Sequence, residues 1–170
     1  MNGLAGCVQQ IETSNPIEAS AQHAFFAHDS FQALLLLEQV AERAAARADT
    51  ASEVLALRRA LEIARQEISR GELDDPLRAM LIFSRKLGGA LTRAGNFADA
   101  EGVLREALDI AGPSGTDRAR VLGALAHVAH GRQRAEDALH YIDEAIDTAR
   151  RSGAHDLVST LNDTRRAWAS

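Results

Sequence analysis

The amino-acid sequence predicts an all-α protein, with about seven helices folded as antiparallel hairpins. Three observations lead there. Alanine, the strongest intrinsic helix former, makes up roughly a fifth of the 170 residues, while aromatic residues reach only 4%. Segments of about 13–20 residues with apolar side chains at helical spacing alternate with short stretches rich in Gly, Pro, Asn and Asp. No segment alternates apolar and polar residues through a β-branched run, so no strand is expected.

Residues 1–14 show no helical period and are expected to form a disordered tail. Asn15-Pro16 joins a capping side chain to a proline at the first helical position and opens a helix over 16–28. Asp29-Ser30 caps a helix from Phe31 to about Arg47, although nothing between this helix and the one before forbids a single long helix. Asp49-Thr50 caps a helix from Ala51 to Arg70, stopped by Gly71. Asp75-Pro76 repeats the cap-plus-proline signal and starts a helix to about Ala94. Gly95-Asn96 is a turn, and the helix after it ends at Gly112-Pro113-Ser114-Gly115. Thr116-Asp117 caps a helix to His130, which Gly131 breaks. A helix over 134–151 ends at Gly153, and the last covers 156–168. The chain therefore reads as one domain over 15–170, with hairpins over 31–70, 76–111 and 117–151 and a C-terminal capping helix.

Charge narrows the function. The formal net charge is −5, which argues against a nucleic-acid binder with a basic stripe. Lys86 is the single lysine, so the positive charge is almost all arginine. The longest solidly apolar run, Ala33 to Leu37, is far too short to cross a bilayer, and a soluble cytoplasmic protein without a membrane partner is expected. Cys7 is the one cysteine, so no disulfide or cysteine-based zinc site is expected within the chain. Leu4-Ala5-Gly6-Cys7 has the look of a lipoprotein cleavage box, but only three residues precede it in this sequence, and a plain tail is the reading preferred.

The hairpins repeat. Ala100, Leu104, Ala107, Leu108 and Ala111 return about 38 residues later as Ala138, Ile142, Ala145, Ile146 and Ala149. Leu87, Gly88 and Leu91 return as Leu125, Ala126 and Ala129. A third, weaker copy lies about 47 residues upstream, as Val40, Ala41 and Ala44, then Leu57, Ala60, Leu61 and Ala64, with Glu53 in place of the small residue. The small residues allow two helices to approach where they cross, and the larger ones fill the flanking gaps.

Ser84-x2-Leu87-Gly88-x2-Leu91, Gly95, then Ala100-x3-Leu104 and Ala107 resembles the tetratricopeptide repeat, as does the copy from Leu122 to Ala145. The aromatic positions of that family are not filled here, and the spacing exceeds its usual 34 residues. Longer helices of this kind are similar to those of bacterial signalling and regulatory members. The resemblance implies a short right-handed solenoid whose concave groove, lined by the first helix of each hairpin, grips a peptide or a partner's helix.

Carried over by motif, the groove residues are Ile82, Arg85, Gly89, Thr92 and Arg93, then Arg120, Gly123, His127 and His130. If the final helix begins another copy, Val158, Leu161, Arg165 and Trp168 extend it. Arginine forks suit carboxylates, so the expected partner is a protein or peptide with acidic residues or a free C-terminus. The plainer alternative is that these arginines pair with neighbouring Asp and Glu.

No catalytic, cofactor or metal site is expected. His127 and His130 at i, i+3 lack a reliable third ligand, since His140 and Asp137 lie on the partner helix. Gly88-Gly89 sits inside a helical pattern and serves packing. Nothing near Cys7 would lower its pKa. The stretch holding Phe25, Phe26, Phe31 and Ala33 to Leu37 is apolar around most of a helix. Its outer side calls for a cover, either the 16–28 helix as a cap or a second subunit. The alternatives to a partner-binding scaffold are thus a self-associating structural subunit, or a sensor fragment of a larger signalling protein.

Overall fold

The computed structural model describes residues 29–169; the expected tail over 1–14, with Cys7, and the expected helix over 16–28 lie outside them. Seven helices follow one another among the described residues: α1 (Ser30–Ala46), α2 (Thr50–Arg70), α3 (Pro76–Arg93), α4 (Phe97–Ile110), α5 (Thr116–Gly131), α6 (Ala135–Arg151) and α7 (His155–Ala169). No strand occurs among these residues.

Local chemistry accounts for most boundaries. The carboxylates of Asp29, Asp49 and Asp75 accept the N–H groups of Gln32 (3.0 Å), Ser52 (3.1 Å) and Arg78 (2.9 Å), satisfying donors that a helix start leaves free. At α5 the expected cap fails: the N-cap is Gly115 at φ 106°, no side chain caps it, and Thr116 is already helical. Asp117 sits in the first turn, where a negative charge opposes the helix dipole.

The turns inside the hairpins share one geometry. Ala48, Gly95 and Gln133 occupy the same place in the repeat and all take left-handed backbone, at φ 56°, 77° and 60°. The next residue in each case, Asp49, Asn96 or Arg134, donates its N–H to the carbonyl of Ala44, Leu91 or Ala129 at 2.9 Å. This bond closes the helix end in the manner of a Schellman motif. Gly131 is therefore not the breaker. It is the last residue of α5, and a Cβ there would come within 2.5 Å of the Phe97 ring.

Packing follows the small residues. Ala100 and Ala138 are fully buried, and a Cβ on Gly88 would meet Leu104 Cγ at 2.6 Å, so α3 and α4 cross with no room to spare. In the weaker copy Glu53 takes the alanine's place, and its buried carboxylate accepts a hydrogen bond from Arg93 Nη2 (2.5 Å) of the next hairpin. Leu87, Leu91, Leu104 and Leu125 are among the fully buried side chains, each contributing about 1.5–3 kcal/mol. Each helix packs on its successor, and α3 also lies against α5. The first helices of successive hairpins consequently stand side by side.

Candidate partner-binding face

The face lined by α1, α3 and α5, with α7 at its end, carries the residues expected to meet a partner. The structure divides them into three groups.

The first group is committed to the protein itself. Arg93 pairs with Glu53. Arg165 does not turn into a groove: it reaches Asp143 on α6 with Nε at 2.6 Å and Nη2 at 3.4 Å, and these bonds raise its pKa. The Thr92 hydroxyl donates to the Gly88 carbonyl of its own helix at 2.7 Å. Gly123, expected on an open groove, is buried, because α7 lays Leu161 across it; a Cβ would stand 2.9 Å from Leu161 Cδ2. Leu161 is itself buried and is a packing residue.

The second group is an aromatic stack. Trp168 lies flat on His130, with ring centroids 4.4 Å apart and planes within 10°, and meets His127 edge-on at 5.0 Å and 85°. Both histidines keep exposed edges. Burial of the rest of its ring, with the charge of His130 beside it, pushes the His127 pKa down. His140 is elsewhere, against Tyr141 at 6.0 Å. Among the described residues no three His, Cys, Asp or Glu side chains are placed to hold a metal ion.

The third group is Arg85 with Arg120. Arg85 is half-buried on α3 and makes no ion pair among the described residues. Burial lowers its pKa first and the nearby positive charge of Arg120 lowers it further, while Asp117 acts in the opposite direction. Arg120 is exposed on α5 and shares that same Asp117, at 3.3 Å. Two guanidinium groups thus face one carboxylate. Beside them, Arg85, Gly89 and Arg93 line one side of a hollow of about 290 Å³, with Ala41, Glu42 and Ala45 of α1 on the other.

Sequence reasoning missed two anchors of this scaffold. Lys86 bridges to Glu38 and, at 3.4 Å, to Glu42, tying α3 to α1. Glu101 receives three arginines: Arg105 from its own helix (2.6 Å), and Arg132 (2.5 Å) and Arg134 (3.0 Å) from the turn of the next hairpin. Burial pushes the Glu101 pKa up, but the bonds and charges of Arg134, Arg105 and Arg132 together hold it below its ordinary value. Only the Glu101–Arg105 spacing of four was visible as a signal in the sequence.

Side-by-side first helices with paired second helices define a helical-repeat architecture. Residues 78–151, from α3 to the end of α6, match the family model described as tetratricopeptide repeat. Over those residues the chain carries repeats of the tetratricopeptide type, which generally mediate protein–protein interaction and are typically non-catalytic. No curated protein matches the chain. No helix among the described residues is long and apolar enough to cross a membrane.

Proposed function

We propose that the chain is a non-catalytic scaffold that binds an acidic peptide, or an acidic segment of a partner domain, on the face lined by α1, α3 and α5. Arg85 and Arg120 hold its carboxylates. The supporting observation is Arg85. Arg93 and Arg165 are each balanced by a carboxylate, whereas Arg85 is half-buried, faces a second arginine and has no ion pair among the described residues. A desolvated guanidinium with its fork unfilled is suited to a bidentate carboxylate.

The test is binding of an array of acidic peptides, each with a free and an amidated C-terminus, read by fluorescence polarisation. Arg85→Glu with Arg120→Glu should weaken the peptides that bind by at least tenfold, on the order of a lost charge-assisted pair. Arg58→Glu with Arg65→Glu removes the paired arginines that join α2 to Asp99 and Glu106 of α4, and should leave binding intact. Equal loss in both variants, or no loss in the first, would reject the reading. Free-terminus peptides outperforming their amides would identify a C-terminal carboxylate as the preferred group.

A further inference from the structure

The exposed apolar surface of α1 lies where a continuing solenoid would not put it. On α3 and α5 the equivalent positions Phe83 and Val121, and Ala90 and Val128, are buried. They lie on the side of each helix that the second helix of the preceding hairpin covers. The corresponding residues of α1 are Leu36, half-buried, and Arg43, exposed, flanked by exposed Gln32 and Gln39. Among the described residues this side carries no apolar seat like those of α3 and α5. Phe31 and Leu35 are nevertheless 60% and 39% exposed. They occupy the repeat positions of Arg78 and Ile82, on the partner-binding face, and border a hollow of about 300 Å³ between α1 and α3 together with Leu34, Ile82 and Phe83.

We propose that residues 16–28 of the same chain dock into this hollow through Phe25 and Phe26, covering the N-terminal end of the partner-binding face. The sequence before Asp29 ends three residues from Phe31, at the mouth of the hollow. Phe26 stands five residues before Phe31, and a chain covers at most about 3.5 Å per residue, so its Cα is tethered within roughly 18 Å of that mouth. Tethering at this range gives an effective concentration, on the order of millimolar, that a second copy does not match in dilute solution. The hollow is lined by eleven residues, well short of the roughly 20–30 a side that a stable dimer engages. Docked there, the segment confines a partner to the Arg85–Arg120 end. This consequence rests on the function proposed above; the docking itself does not.

Chymotrypsin cleavage after Phe25 and Phe26 in the full chain tests the docking without any partner. Leu35→Glu with Ile82→Glu should speed that cleavage at least about tenfold, because protease samples the open population. Leu55→Glu, at an exposed position of α2, should leave it unchanged. Phe25→Glu with Phe26→Glu alters no described residue and should raise binding of the dye ANS by uncovering the hollow. Wild-type cleavage as fast as in the Leu35/Ile82 variant would overturn the proposal, as would unchanged dye binding. Protection that rises with protein concentration, alongside a doubled mass in light scattering, would overturn it in favour of a second copy. Loss of peptide binding in the arginine variant is independent of all these outcomes.

Discussion

The two ends of the candidate face are made by the same kind of helix and finished in opposite ways. Between α5 and α7, Leu161 fills the space above Gly123 and Trp168 lies across His127 and His130. Between α1 and α3, a hollow of about 300 Å³ remains, with Phe31 and Leu35 at its edge. The contrast shows how little separates a sealed repeat junction from an open one. At Gly123 the missing Cβ leaves room for the Leu161 side chain, which fills the junction. Between α1 and α3 no side chain among the described residues fills the equivalent space, and the apolar edges of Phe31 and Leu35 stay accessible. On α7, Asp156, Ser159, Asp163 and Arg166 are exposed.

Breaking the sealed end should have the largest effect. Leu161→Ala is expected to cost about 2–4 kcal/mol by leaving a cavity under a terminal helix. Because Trp168 is the one tryptophan, its fluorescence should then unfold at lower urea than the circular dichroism signal, separating α7 from the remainder. Coincident transitions would mean that α7 is not an independently detachable end.

The turns sharpen the comparison from the other side, since they are alike at both ends. Ala48→Gly, in the hairpin of the open end, and Gln133→Gly, in the hairpin of the sealed end, should each stabilise the protein by about 0.5–1 kcal/mol, as glycine takes left-handed backbone without a Cβ penalty. Equal gains in urea melts would locate the difference between the ends in side-chain packing rather than in the hairpins. Phe31→Ala should shift the same melts by less, within about 0.5 kcal/mol, since the ring is largely in water among the described residues.

Acidification just below pH 6.5 should act first on the sealed end, before the carboxylates titrate. The folded-state pKa of His127 lies below its ordinary 6.5, so between the two values the unfolded chain binds more protons than the folded one. Stability from the neutral ring is therefore complete above pH 6.5 and declines as pH falls through that value toward the folded-state pKa. Trp168 fluorescence should follow the same titration, and His127→Gln should abolish it. A titration unaffected by His127→Gln would assign it to another group.

The legible and illegible parts of this protein separate by range. Asp29, Asp49, Asp75 and Pro76 announce helix starts because a cap acts on donors two or three residues away. The hairpin turns at Ala48 and Gln133 carried no glycine signal, and only their register with Gly95 made them findable. Thr116-Asp117 looked like a cap and is the first turn, while Gly115 took the cap position through a conformation no side chain advertises. The candidate face was legible as a row of positions. Its sorting into paired, stacked and unpaired members was not, since Arg93–Glu53 and Arg165–Asp143 join residues 40 and 22 positions apart.

Amino-acid order alone dictated where helices begin, where the chain reverses and which alanines and glycines meet at crossings. Those choices depend on backbone hydrogen bonds and on side-chain size at fixed spacing, both local quantities. Which arginine keeps its fork empty, which glycine is covered and which hollow stays open were settled only when distant helices came together. A guanidinium is neutralised or exposed according to what lies within a few ångströms of it, and that neighbourhood exists only in the packed molecule.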